Sequence, residues 1–191
     1  MSAQISDKFV YNNEMYELSV TQYSLGFDVR KFGINPRLAY SRRSLCFRGY
    51  DTVFSIKKNK LVLKKLGIIP FNKEAEPPEI NGVLPTVHGS LLYDWYYEGI
   101  NLEFPYTGAL LIVKDLIEEE YVDIGFQRPL SFRKAIELTF KKGVFLNAND
   151  ISETFNRIRK TSEANLRYKE ISSLPFWIVQ CVDDVSCGEK D

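Results

Sequence analysis

Two short stretches of this sequence carry side chains whose types and spacing could bind or react. The first, RRSLCFRGYDTVF, sets Arg42, Arg43 and Arg48 among Phe47, Tyr50 and Phe54. Guanidinium groups interleaved with aromatic faces suit single-stranded nucleic acid or a planar anion, through stacking and cation–π contact. The competing and preferred reading is a core strand whose arginines reach past the apolar layer to water. The second stretch, LLYDWYYEG, splits by strand parity into Leu91, Tyr93, Trp95 and Tyr97 on one side and Leu92, Asp94, Tyr96 and Glu98 on the other. One side is an aromatic wall. The other offers two carboxylates roughly 13 Å apart along a strand, longer than the roughly 5–9.5 Å of a glycosidase pair. A partner-binding surface that includes Trp95 and Tyr97 fits better than a catalytic pair, because such side chains dominate binding hot spots. The preferred reading of Trp95 with Tyr93 and Tyr97 is core, where large aromatics of a central strand usually pack.

Other chemistry finds little footing. His88 is the only histidine, so a multi-histidine zinc site is excluded, and Cys46, Cys181 and Cys187 lack metal-ligand spacing. There is no nucleophile elbow, no phosphate-binding glycine loop and no calcium loop. No cofactor is expected and no metal. Three cysteines at irregular positions predict three free thiols in a reducing compartment, with a bridge between Cys181 and Cys187 as the lesser alternative. The opening residues do not form a signal peptide, and the longest apolar runs, such as Ala109 to Val113, are far short of a membrane span. A cytoplasmic location follows as the expectation.

The elements that would position these residues are mainly strands. The chain has 191 residues, with 13 Phe, 11 Tyr and 2 Trp, residue types that favour strands and can support one sizeable core. A hairpin is predicted around Asn12-Asn13, a second around Asn59 and a third at KKG, where Gly143 supplies the permissive turn position. LLYDWYY, INLEFP, GALLIVK and EYVDIGF read as further strands, and PFWIVQCV as a last strand closing the sheet. In KLVLKKL, Leu61 and Leu63 share parity with Lys65, whereas Leu66 falls on the side of Lys64. Residues 71–79 read as a surface loop. Asp150 and Glu153 fit a capping pair for one amphipathic helix over 151–167, with Ile151, Phe155, Ile158 and Leu166 on its apolar stripe. Residues 184–191 read as a flexible tail. The predicted architecture is a single β-rich domain over 1–191, an antiparallel curved sheet or partly open barrel of roughly nine to eleven strands, with one C-terminal helix.

A net charge of zero conceals segregation. From Arg30 to Lys65 there are eleven bases against one acid, and from Glu74 to Ile124 eleven acids against one base. Such blocks either steer a charged partner or pair across a sheet and stabilise its register. The sequence leaves both open, with internal pairing preferred.

Three segments, FRGYDTVFSIKKNKLVLKKLGI, HGSLLYDWYYEGINLEFP and EEEYVDIGFQRPLSFRKAIELTFKKGVFL, resemble in order and spacing a group of uncharacterised small bacterial proteins. The resemblance runs from about Cys46 to Leu146. That group tends to have Trp where this chain has Phe47 and Phe54, and a His-Met-Gly step where it has Asp123-Ile124-Gly125. The resemblance implies a bacterial, cytosolic protein and carries no catalytic residue over. The function expected is a non-enzymatic protein-interaction module, immunity-like or accessory. The alternatives are nucleic-acid or small-anion binding through Arg42, Arg43, Arg48 and Tyr50, and a carbohydrate- or nucleotide-directed enzyme using Asp94 and Glu98.

Overall fold

The structure, a computed structural model, describes residues 3–38, 46–87, 92–161 and 164–181. Arg42, Arg43, His88, Leu91, Cys187 and the predicted tail over 184–191 lie outside the described residues.

Among the described residues nine strands form one sheet: β1 (Lys8–Tyr11), β2 (Glu14–Thr21), β3 (Tyr50–Lys57), β4 (Lys60–Ile68), β5 (Thr86–Val87), β6 (Trp95–Glu103), β7 (Gly108–Leu116), β8 (Phe132–Lys141) and β9 (Val144–Asp150). They are bonded in the order β3-β1-β2-β7-β8-β9-β4-β6-β5, and β3 also pairs with β4. The bonding therefore runs round a ring from β3 through β9 and β4 back to β3. The expected mainly β, partly open barrel is present. All its pairings are antiparallel except one: β1 runs parallel to β3, Lys8 opposite Val53 and Val10 opposite Ser55. The ring is weakest at β9, which pairs with β8 along its length but with β4 only at Lys60–Val144. Beyond that point β4 takes β6 as its neighbour.

Local chemistry sets the hairpins. Asn12-Asn13, Lys58-Asn59 and Lys142-Gly143 all place two consecutive residues at positive φ, the two-residue turn whose twist matches that of the flanking strands. Gly143 (φ 79°) has a second reason to lack a side chain: a Cβ there would collide with the Phe104 carbonyl oxygen. The parity conflict in β4 is resolved by a bulge. Val53 opposes Lys65 while Phe54 opposes Leu63, so Lys64 is the extra residue and the strand changes face there. Leu61, Leu63, Leu66 and Ile68 consequently all point into the barrel, each with no exposed surface. A second bulge between Leu18 and Val20 turns Val20 from the interior to the outer layer.

Several predicted elements differ. The single helix over 151–167 is instead α1 (Ser152–Lys160) and α2 (Ala164–Ser172). Thr161 closes α1, its amide and hydroxyl both donating to the Arg157 carbonyl. The break leaves Phe155 and Ile158 buried but Leu166 exposed. Asp150 receives the Ser152 amide and hydroxyl rather than forming a capping pair with Glu153. PFWIVQCV is not a closing strand: Phe176–Val179 form α3, which puts Leu174, Ile178 and Cys181 at helical spacing against Leu111, Val113 and Ala135. The Trp177 indole N–H fixes it, donating to Glu137 at 3.0 Å. EYVDIGF forms no strand either. The Gln127 side chain bonds both the amide and the carbonyl of Val122, doing for this loop what a neighbouring strand would do.

Residues 71–79 form a loop, largely exposed. LLYDWYY and INLEFP are not two strands; their described parts meet in β6, with Leu92 to Asp94 outside it. Trp95 is 4% exposed and Tyr97 fully buried, both inside the barrel. Trp95→Ala is therefore expected to cost roughly 3–5 kcal/mol by cavity formation, read as a loss of unfolding free energy in urea. A near-native urea midpoint would place Trp95 outside the core.

Candidate functional site

Among the described residues, Arg48, Asp94 and Glu98 of those singled out in the sequence are occupied with holding the barrel together. Arg48 donates to Asp7 Oδ1 at 2.8 Å and stacks at 4.8 Å over the Tyr50 ring. The same Asp7 oxygen accepts the Thr52 amide at 2.9 Å, so the pair ties the N-terminal segment to β3. Asp94 sits just before β6 and pairs with Lys73 at 2.9 Å. Glu98 pairs with Lys65 directly across the β4–β6 ladder, which lowers the carboxyl pKa and raises that of the lysine. Lys60 and Glu103 add a third bond at 2.6 Å. Lys60 and Lys65 of the basic block thus meet Glu103 and Glu98 of the acidic block across one ladder, as cross-strand charge pairs that favour a single register.

Beside Arg48 lies a buried polar group that sequence reasoning missed. The Tyr93 hydroxyl faces Asp51 and the Cys46 thiol without good hydrogen-bond geometry to either, and burial pushes its pKa well up. The ring lies on Gly67, where a Cβ would also come within 2.7 Å of Asp51 Oδ1. Burial raises the pKa of both the Asp51 carboxyl and the Cys46 thiol, which makes that thiol a poor nucleophile. Cys46 is free, whereas Cys181 is disulfide-bonded to a partner outside the described residues. The expectation of three free thiols is overturned, and cysteine usage no longer argues for a reducing compartment.

A cleft lies elsewhere, where β9 loses its outer neighbour. It has a volume of about 390 Å³ and is lined by the β1–β2 hairpin end (Tyr11, Asn12, Glu14), by Tyr16, by Lys134 and Ile136 of β8, and by Ala148 and Asp150 of β9. Lys114 stands directly opposite Lys134 in the β7–β8 ladder. Like charges facing one another across strands are unfavourable, and Glu14 relieves them: its carboxylate lies 3.3 Å from the Lys114 ammonium and 3.7 Å from that of Lys134. It also accepts the Tyr16 hydroxyl at 2.9 Å. The Tyr16 hydrogen bond and the two ammonium groups hold the Glu14 pKa down. Both ammonium groups lie within 6 Å of the Tyr16 ring centroid, at 5.9 and 5.7 Å. Burial raises the Tyr16 pKa, so its phenol stays protonated at neutral pH and acts as a hydrogen-bonding group, not as a base. No sequence signal marked this set, because its members come from three strands far apart in the chain. Among the described residues no His, Cys, Asp and Glu side chains cluster as metal ligands would, and no helix is long and apolar enough to cross a membrane.

No family model, curated protein or solved structure matches this chain.

The half-buried Asp51 gives a pH prediction. Its folded-state pKa is raised, so the folded protein holds the proton more tightly than the unfolded chain does. The stability linked to that proton is complete below the ordinary carboxyl value, about pH 4, and is lost as pH rises through the folded-state value. Asp51→Asn is expected to raise Tm near neutral pH, with the gain shrinking as pH approaches about 4. A gain independent of pH, or a loss at neutral pH, would show that the charge is not the destabilising element.

Proposed function

We propose that this chain is a non-enzymatic binding protein that takes a protein partner at the open side of its barrel, in the cleft between the β1–β2 hairpin and β9. The observation that carries the reading is the coincidence there of room and unmet bonding capacity. Outside Val144, the outer edge of β9 has no strand partner among the described residues. The cleft beside it, about 390 Å³, falls within the ordinary range of ligand sites, roughly 300–1,000 Å³. An exposed strand edge is where an extended segment of another chain adds by main-chain hydrogen bonds.

The alternatives find less support. As an acid–base pair, Asp94 and Glu98 are each neutralised by a lysine. As a polyanion contact, Arg48 is already engaged by Asp7 and Tyr50. A protein that acts by contact alone fits an immunity-like or accessory role.

A photo-reactive phenylalanine placed at Tyr11, which lines the cleft, tests this in cells of the native host, with the same residue at Lys160 on α1 as control. The expected result is a discrete protein adduct from Tyr11 that is absent from Lys160 and is lost when Lys134→Gln is added. Identical adducts from both positions, or none from Tyr11, would remove the cleft as the binding face.

A further inference from the structure

The three polar groups at the cleft all converge on a single carboxylate. Lys114 faces Glu14 Oε1, while Lys134 and the Tyr16 hydroxyl both face Oε2, so each oxygen has its own cation. The group so held belongs to the first residue after the hairpin turn, two positions from Tyr16, with its side chain 46% exposed. It is a local plug rather than a buried cross-link. We infer that Lys114, Lys134 and Tyr16 form a carboxylate-binding site which Glu14 fills from within, and that an acidic side chain of an extended partner segment replaces it. This inference rests on the reading of the cleft as a protein-binding face.

Two features favour an acidic peptide over a polyanion. The remaining charge near Lys134, Asp150, has its carboxylate held by the amide and hydroxyl of Ser152, so it neither fills the site nor leaves it. With two lysines against Glu14 and Asp150 the cleft has no surplus positive charge to draw a nucleic acid, whereas one carboxylate replacing another is an even exchange. The strand beside the site supplies the second feature. The Ile151 amide donates to Ala135 of β8, so alternation turns the main-chain groups of Ala148 and Asp150 to the unpaired edge. A segment bonded there would direct alternate side chains towards Lys134.

Removing the plug tests the inference, because it should create affinity rather than destroy it. The full chain is titrated with acetate, with a blocked peptide Thr-Val-Glu-Val-Thr, and with the same peptide carrying Gln for Glu, while amide NMR shifts are followed. If Glu14 fills the site about nine-tenths of the time, Glu14→Gln should bind acetate and the Glu peptide about tenfold more tightly than wild type. Shifts should centre on Lys134 and, for the peptide, on Ala148 and Asp150. The Gln peptide should not share the gain, and adding Lys134→Gln should abolish it. Glu14→Thr, suited to a strand start, repeats the test if glutamine at this position fails to fold. No gain for either carboxylate probe in a folded variant would overturn the site and leave Glu14 a structural ion pair. A gain for acetate without one for the peptide would keep the carboxylate site and overturn the extended protein partner.

Discussion

The parallel pairing of β1 with β3 is the contact on which the rest of this molecule depends. Every other ladder follows from hairpins or antiparallel neighbours, but three residue pairs, Lys8–Val53 to Val10–Ser55, join the chain's first strand to its third and complete the ring. Closure turns the faces carrying Phe9, Phe54, Leu63 and Tyr97 towards one another, and they form a single interior core. It also carries the β1–β2 hairpin round until Tyr11 meets Phe145 of β9, ring centroids 6.4 Å apart. The cleft is the space left where that approach stops short of pairing. The Asp7–Arg48 ion pair reinforces the same closure from the neighbouring end, since Asp7 also accepts the Thr52 amide.

The outer layer meets a different need. Strands β7 and β8 are apolar on both faces, with Leu111, Val113 and Ala135 on the side away from the barrel interior. Three short helices cover that surface, held by Arg159, which donates to the carbonyls of Leu130 and Phe132, and by Trp177 on Glu137. The opposite wall carries polar pairs on its outward side, Lys65–Glu98 and Lys60–Glu103, in place of a helix. Segregated charge in the sequence thus corresponds at this ladder to adjacent strands.

What was legible in the sequence was whatever a short window contains. Asn12-Asn13, Lys58-Asn59 and Lys142-Gly143 announce their turns because both central residues must adopt positive φ. Strand parity put Trp95 and Tyr97 on one shared side, and that side is the barrel interior. Parity failed at Lys64, since a bulge is decided by pairing with β3, not by the strand's own residues. It failed also for PFWIVQCV, a continuous apolar run compatible with either a buried strand or a helix. The candidate cleft was illegible for a similar reason. Glu14, Tyr16, Lys114 and Lys134 are unremarkable singly, and only the register that sets Lys114 opposite Lys134 makes the carboxylate between them meaningful.

That bridging carboxylate is the central claim, and its titration tests it most directly. Carboxyl NMR resonances followed against pH in wild type and in Lys134→Gln report the Glu14 pKa itself. The account predicts that Glu14 titrates below the ordinary glutamate range in wild type and moves back towards it when Lys134 loses its charge. Titration at the ordinary value in both proteins would mean that Glu14 does not occupy a site between the two lysines, and would contradict the account.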